Sequence, residues 1–458
     1  MRPLRPLRRA GLRRELPQRR PRIQGGPPME TLKTHHLMIG ASAGAISAVE
    51  AIRSIDERSP IAAVSDEEPA GYSRPMLPEL LAGELDVKGI MFRDQAFWRR
   101  NKVHLIYGKA FELDVEERTA KVSENHSTIK IEYEKLLIAT GGKPITPPIE
   151  GLEDVQRYTF TTLRDAERLS NRLPEVNHVA VIGGGLIGIG LSESLRKLGK
   201  KVTLIELKPH LLPQILDEKA AGILEERIKR AGVEVKTGHT VVRVHSEKDP
   251  GELSYAELDD GERIRCQQII MAIGVSPNVE LASKAGLEVN RGVTVDERME
   301  TSIPGVYACG DAAELYDFIH GTRRPLPLWP IARWTGKTAG YNMAGLPREF
   351  QGATSMSALK YFGVPIVTVG LANPVNQNHD GYDVKTYLDP TRKVYRKIVV
   401  KDGRIVGFTL LGEIGDAGVI YHLMRSRFNV RGLRGMAPAL NLSLTHLPKR
   451  VRRDLLWR

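Results

Sequence analysis

The chain has 458 residues, room for about three domains, with ordinary apolar content and a formal charge of +12. That charge sits at the ends: residues 1–28 carry nine arginines against Glu15, and residues 425–458 carry nine lysines and arginines against Asp454. The middle is therefore slightly acidic, which excludes a general nucleic-acid surface; no stretch reaches the ~18 apolar residues of a membrane span, and two cysteines without CxxC spacing exclude a disulfide framework or a zinc site.

The composition reads as a soluble, cytoplasmic protein. Residues 1–34 form a basic extension, rich in Arg and Pro and without the apolar region of a secretion signal. They read as disordered, or, for residues 1–28, as lying upstream of a true start at Met29. Leu37-Met-Ile is a short apolar strand ending at Gly40. Ala43 to Ser54 has helical periodicity, with Ile46, Val49, Ala51 and Ile52 inward. Ile61 to Val64 is the next strand, ending in Ser65-Asp66-Glu67. Strand, turn, helix and strand make half of a dinucleotide-binding Rossmann unit. Its turn, Gly40-Ala-Ser42-Ala43-Gly44-Ala45, is an irregular GxGxxG with Ser42 in the second glycine position and Ala45 in the third. The acid at its second strand is Asp66 or Glu67. A long segment containing Tyr72-Ser-Arg74-Pro75 follows, and then a buried strand from Tyr133 into the turn Ala139-Thr140-Gly141-Gly142.

Pro144 to Gly151 reads as a linker into a second unit: strand Val179–Ile182, helix Leu186–Leu198 and strand Lys201–Ile205, ending in Glu206. Its turn, Gly183-Gly-Gly185-Leu186-Ile187-Gly188, is a regular fingerprint. Gly183 makes the tight turn, Gly185 lets backbone approach a pyrophosphate, and Gly188 lets helix and strand pack closely. The helix N-terminus offers free N–H groups to the phosphates. Glu206 accepts hydrogen bonds from ribose hydroxyls and repels a 2′-phosphate, which points to NADH over NADPH. Two dinucleotides in one chain are best explained by hydride passing from one to the other. Ile269 to Asn278, with Gly274, returns the chain; Gly305 to Asp311 is another short strand and turn, ending Cys309-Gly310-Asp311. From about Glu349 the character changes, and Ile398 to Phe408 reads as a hairpin about Asp402-Gly403. The last 35 residues are basic and helical in parts.

The ordered set Gly40–Gly44, Tyr72–Pro75, Ala139–Gly141, Gly183–Gly188, Ala272–Asn278, Ala308–Asp311, Trp329–Ala332 and Tyr341–Gly345 resembles the FAD-dependent pyridine nucleotide-disulfide oxidoreductase superfamily over residues 35–425. Within it the chain is most similar to the branch without redox thiols: NADH–rubredoxin and NADH–ferredoxin reductases, the flavin portion of NADH nitrite reductases, and the NADH-oxidising flavoprotein subunit of phenylglyoxylate dehydrogenase. The resemblance implies an α/β fold of two Rossmann-like dinucleotide-binding domains, for FAD and NAD, plus a C-terminal α+β interface domain. The expected division is FAD-binding 35–150 and 268–345, NAD-binding 151–267, and interface 346–458 with the basic tail. FAD then sits on the first turn with Ala139-Thr140-Gly141, Gly274 and Gly310. Asp311 bonds its ribitol chain, and Arg74-Pro75 lies against its ring. The helix after Trp329 aims its positive end at the flavin pyrimidine. NADH sits on the second turn, from Gly183 to Gly188, with Glu206. No side chain acts as nucleophile or base, because the flavin carries the hydride chemistry.

Two departures qualify that resemblance. The chain lacks the CxxxxC of disulfide reductases and the reactive cysteine of NADH oxidases and peroxidases. Electrons are therefore expected to pass to a ferredoxin- or rubredoxin-like iron–sulfur protein, with the basic C-terminal segment as a docking patch for an acidic partner. Gly190 stands where many relatives carry a glutamate near the nicotinamide amide. An NADH oxidase reducing oxygen, and a flavoprotein subunit serving as scaffold or redox sensor, remain as alternatives, as do a homodimer and a place in a larger complex.

Overall fold

The computed structural model describes residues 30–124, 127–155, 157–245, 255–374 and 381–431, with a few positions beyond. Strand Glu30–Ile39 is the centre of the first sheet, parallel to Ile61–Ser65 on one side and Ser127–Ile138 on the other. Val103–Tyr107 extends the sheet beyond Ile61–Ser65, and Val306–Ala308 joins on Ser127–Ile138. Leu37, Met38 and Ile39 are buried on both faces, as a parallel sheet between helices requires. The first half of the central strand corrects the expectation of a disordered extension through residue 34. Residues 30–34 are mostly exposed, yet they pair in register with Ile129 to Tyr133. Backbone bonding to the long partner strand, with the Lys33–Glu132 ion pair at 2.9 Å, holds a segment that has no apolar pattern.

Helix α1 (Ala43–Arg53) follows the first turn, and Ile46, Val49, Ala51 and Ile52 all face the core. Short helices α2 (Leu77–Leu81) and α3 (Gln95–Arg100) follow in the long connection. α4 (Leu163–Arg172) opens with a full capping box between Thr162 and Asp165.

The second sheet runs Val233–Thr237, Lys201–Glu206, His178–Ile182, Gln268–Met271, Arg157–Thr159, all parallel. Gln268–Met271 therefore belongs to this sheet and not, as expected from the sequence, to the returning part of the first domain. All four of its residues are buried, and its neighbours on both sides are strands of the second unit. Helices α5 (Leu186–Lys197) and α6 (Glu218–Arg230) pack on the sheet. The two connections between the units run together as a ribbon, Gly142–Pro144 against Val275–Pro277. α7 (Glu280–Lys284) and α8 (Trp329–Met343) then return to the first core.

The C-terminal domain is a five-stranded antiparallel sheet in the order Met356–Tyr361, Val364–Gly370, Arg404–Leu411, Val394–Lys401, Tyr382–Asp389. Asp402 and Gly403 turn its hairpin with φ of +51° and +73°, the signs a two-residue type I′ turn needs. α9 (Ala417–Arg425) covers one face with Ile420, Leu423 and Met424. The sheet docks on the second unit through a polar lock: Lys397 Nζ and Tyr395 Oη bond Asp217, at 3.0 and 2.5 Å. The basic segment beyond residue 431 lies almost wholly outside the described residues. Among these, no helix is long and apolar enough to cross a membrane.

Candidate functional site

The two glycine turns follow one template. Gly40 has φ +109° and donates its N–H to Val64 O at 2.9 Å; Gly183 has φ +111° and donates to Ile205 O at 2.7 Å. Each is pressed against a facing loop. A Cβ on Gly40 would lie 2.2 Å from Ala139 O, and one on Gly183 would lie 2.4 Å from Ala272 O. Only glycine fits such a position. The facing loops match too: Ala139 N donates to Ile39 O and Ala272 N to Ile182 O, at 2.8 and 2.7 Å. They also meet each other, since Thr140 Oγ1 donates to Asn278 O at 2.7 Å and Asn278 N to Gly141 O at 2.9 Å. Ile145 N reaches Gly274 O at 3.1 Å.

At the first turn, Ser42 is the N-cap of α1 in extended conformation, and its side chain makes no capping bond. Its hydroxyl and the first N–H groups of the helix can therefore meet a phosphate. Ala43, Gly44 and Ala45 are buried. Gly44 matters for a reason its place in the motif does not reveal. Its missing side chain makes room for Cys309, whose Sγ would lie 2.7 Å from a Cβ there. α8 crosses α1 at backbone contact: Cβ atoms on Gly336 and Gly340 would lie 2.1 Å from Gly44 O and 2.4 Å from Ala48 O. This crossing brings the Gly310-Asp311 turn to α1, with Gly310 N donating to Thr335 Oγ1 at 3.1 Å. The Asp311 carboxyl is pushed up to about 6 by burial, against the pull of Arg74.

Arg74 links the two units. Its guanidinium pairs with Glu67 and donates to Thr161 O, the latter at 2.6 Å. Tyr72 Oη donates to Glu67 and accepts from Leu163 N at 2.9 Å. Pro75 is exposed beside it. The carboxylate of Glu67 is thus already engaged within the protein, and Asp66 is exposed. The shared template settles the register left open in the sequence: Val64 matches Ile205, so Ser65 is the counterpart of Glu206. Ser65 is buried, with its hydroxyl on Glu67 O at 2.7 Å.

At the second turn, Gly188 is essential to the packing, since a Cβ would lie 1.8 Å from Gly183 O. Gly185 is the opposite case: nothing lies within 4 Å of a Cβ built there. That open space is where backbone can approach a ligand. Leu186 and Ile187 start α5, which has no acidic residue in its first turn. Glu206 is buried at the edge of the turn, accepting from Gly184 N at 2.7 Å and Lys208 N at 2.8 Å. Tyr361 of the C-terminal sheet donates to Leu186 O at 2.8 Å, a contact absent from the sequence reading because it joins residues 175 apart.

Residues 34–336 match the pyridine nucleotide-disulphide oxidoreductase family, and residues 356–428 match the rubredoxin NAD+ reductase C-terminal domain. The chain belongs to the pyridine nucleotide-disulphide oxidoreductase family. It is 32% identical over 405 residues to the NADH-dependent phenylglyoxylate dehydrogenase subunit epsilon of Aromatoleum evansii, covering 88% of this chain and 94% of that one. It is 28% identical to a rubredoxin-NAD(+) reductase of Alcanivorax borkumensis, covering 82% and 94%. Among solved structures, a NAD-dependent persulfide reductase from A. fulgidus is similar with a TM-score of 0.81 and 27% identity, covering 87% of this chain and 78% of that one. Two Bacillus subtilis relatives are larger, and the chain spans only 43% and 48% of them. Family membership implies FAD and NADH as cofactors, and the residues present fit two dinucleotides. Gly185 leaves an open cradle, and on the Asp311 carboxyl the acting influences are burial and the charge of Arg74.

Proposed function

We propose that the chain is an FAD-dependent NADH:acceptor oxidoreductase of the cytoplasm, with a ferredoxin- or rubredoxin-like iron–sulfur protein or subunit as acceptor. The observation that carries this reading is the pair of turns on one template, knitted together through the Thr140–Asn278 contact. FAD when bound supplies the hydride-accepting and electron-passing chemistry. The protein's part is position and field. Gly40 to Ala45 cradle the FAD pyrophosphate at the N-terminus of α1, and Asp311 accepts from the ribitol hydroxyls. Arg74-Pro75 flanks the ring. α8 begins without a side-chain cap or an acidic residue, so its positive end favours negative charge on the flavin. Gly183 to Gly188 cradle NADH, and Glu206 holds its ribose.

Both thiols are unsuited to chemistry. Cys266 and Cys309 are buried, and burial pushes each up to about 12. A thiolate is the reactive form, so neither serves as a redox centre, which argues against an oxygen-reducing role built on a cysteine. The match to a rubredoxin reductase C-terminal domain supports an iron–sulfur acceptor. The basic C-terminal segment is proposed to steer an acidic acceptor, in a homodimer or within a larger complex. Anaerobic reduction of a ferredoxin or rubredoxin by NADH and the purified protein tests the reading; transfer to oxygen alone, with none to either protein, would replace it with the oxidase.

A further inference from the structure

The NADH reading leaves the nicotinamide end without a polar partner, because Gly190 has no side chain. The packing explains why none is there. A Cβ on Gly190 would point at α2 and the C-terminal sheet, 3.4 Å from both Pro78 Cγ and Tyr361 Cε1. A Cβ is accommodated at ordinary contact distance, and a longer side chain would be directed into this junction. Three bonds fix this junction. Ser194 Oγ donates to Pro78 O at 2.7 Å, Tyr361 Oη to Leu186 O at 2.8 Å, and Phe362 N to Glu193 Oε2 at 3.0 Å.

The same packing delivers a carboxylate from the other domain. Glu79 follows Pro78 on α2, five residues beyond Arg74. Its Oε2 is buried and has no hydrogen-bond partner among the described residues. Lys197 is near enough to feel its charge, but Lys197 Nζ sits on Glu84 at 2.8 Å and reaches Glu193 at 3.8 Å, and it makes no ion pair with Glu79 among the described residues. Burial, with the charges of Glu79 and Glu193, pushes the Tyr361 hydroxyl up, so Tyr361 stays protonated and committed to Leu186 O. Buried acceptors are rarely left empty, and one that is calls for a functional or structural explanation. The junction lies between the first turns of α5, which carry the pyrophosphate cradle, and the Arg74-Pro75 loop. A dinucleotide extending from that cradle toward the flavin would bring its carboxamide N–H groups here.

We propose that Glu79, from the flavin domain, supplies the carboxylate acceptor for the nicotinamide carboxamide, in place of a side chain at position 190. The inference rests on the NADH reading of the second turn. It makes one short segment, from Arg74 to Glu79, responsible both for flanking the flavin and for placing the ring that reduces it.

The test is binding to the FAD-loaded protein by calorimetry, with NAD+ and with ADP-ribose, which lacks the nicotinamide. Glu79→Ala should weaken NAD+ by about tenfold or more, the loss of one charge-assisted hydrogen bond, and leave ADP-ribose unchanged. Glu79→Gln keeps an acceptor oxygen without the charge and should fall between wild type and alanine. It also serves as the second variant if alanine disturbs folding, and FAD content and visible spectrum report on that. NAD+ binding unchanged in both variants, or both ligands weakened alike, overturns the proposal. Wild-type protein that binds neither ligand overturns the NADH reading itself, and the proposal with it.

Discussion

Gly185→Ala separates what the second turn does for the fold from what it does for a ligand. Gly185 has φ −84° and ψ −170°, a region open to alanine, and nothing lies within 4 Å of its Cβ position. Replacing an N-cap glycine by alanine costs roughly 0.5–1 kcal/mol. Lower chain entropy in the unfolded state returns about 0.4–1 kcal/mol, so the net effect on stability is near zero. A bound pyrophosphate feels the methyl directly. If it retreats enough to lose one charge-assisted bond to the helix N–H groups, binding weakens by about 1.5–3 kcal/mol, or roughly 10–100-fold. Gly183→Ala is the contrasting variant. Its φ of +111° and its 2.4 Å approach to Ala272 O put the cost in the fold, at about 1–3 kcal/mol for backbone strain alone. The assays are thermal unfolding of the FAD-loaded protein and the NADH dependence of anaerobic flavin bleaching. Gly185→Ala should melt with wild type and need much more NADH; Gly183→Ala should melt lower. A Gly185→Ala protein with wild-type NADH dependence would refute the assignment of the cradle.

Glu206→Ser should abolish a preference for NADH over NADPH of at least about tenfold, worth ~1.4 kcal/mol, measured by dye reduction with each cofactor. Asp311 has its carboxyl raised from 3.8 to about 6, so its ionised form opposes folding above that pH, and the opposition fades as pH falls through 6 toward 4. Flavin-free Asp311→Asn should therefore melt above wild type on the alkaline side and converge with it in acid, while holding FAD more weakly. His36 is buried, with no hydrogen-bond partner for either ring nitrogen among the described residues, and burial lowers it from 6.5 to about 3. Its neutral form favours folding fully above 6.5, and that contribution is lost as pH falls toward 3, so His36→Leu should show a shallower acid decline in melting temperature. Replacing Cys266 and Cys309 together by serine should leave NADH-dependent dye reduction within a few-fold of wild type, and a hundredfold drop with FAD still bound would contradict the thiol-free reading.

Local patterns carried most of the nucleotide-binding architecture. Strand, glycine turn and helix are set by short-range sterics, so Gly183 and Gly188 could be read from spacing, and Ile46, Val49 and Ile52 from periodicity. What escaped depends on distant partners. Gly336 and Gly340 look like weak points in a helix until α1 is laid against them. A pair of glycines four apart, on one face of a helix, is the signal that could have marked the crossing. Ser65 could not be aligned with Glu206 without the hydrogen bonds of Gly40 and Gly183, and Glu67 looked free because its pairing with Arg74 closes across a loop. Residues 30–34 lacked apolar alternation, since their strand is held by backbone bonds to Ile129 to Tyr133. Gln268–Met271 was legible as a buried strand, but its sheet was not, because parallel partners are fixed by topology.

On the proposed function, this chain takes hydride from NADH onto bound FAD and passes electrons to an iron–sulfur protein. The most direct measurement is rapid anaerobic mixing of the FAD-loaded protein with NADH, with and without an oxidised ferredoxin or rubredoxin, following flavin and iron–sulfur absorbance together. NADH is expected to bleach the flavin, and the added protein to recolour it while being reduced itself. Flavin that stays oxidised in excess NADH would contradict the account.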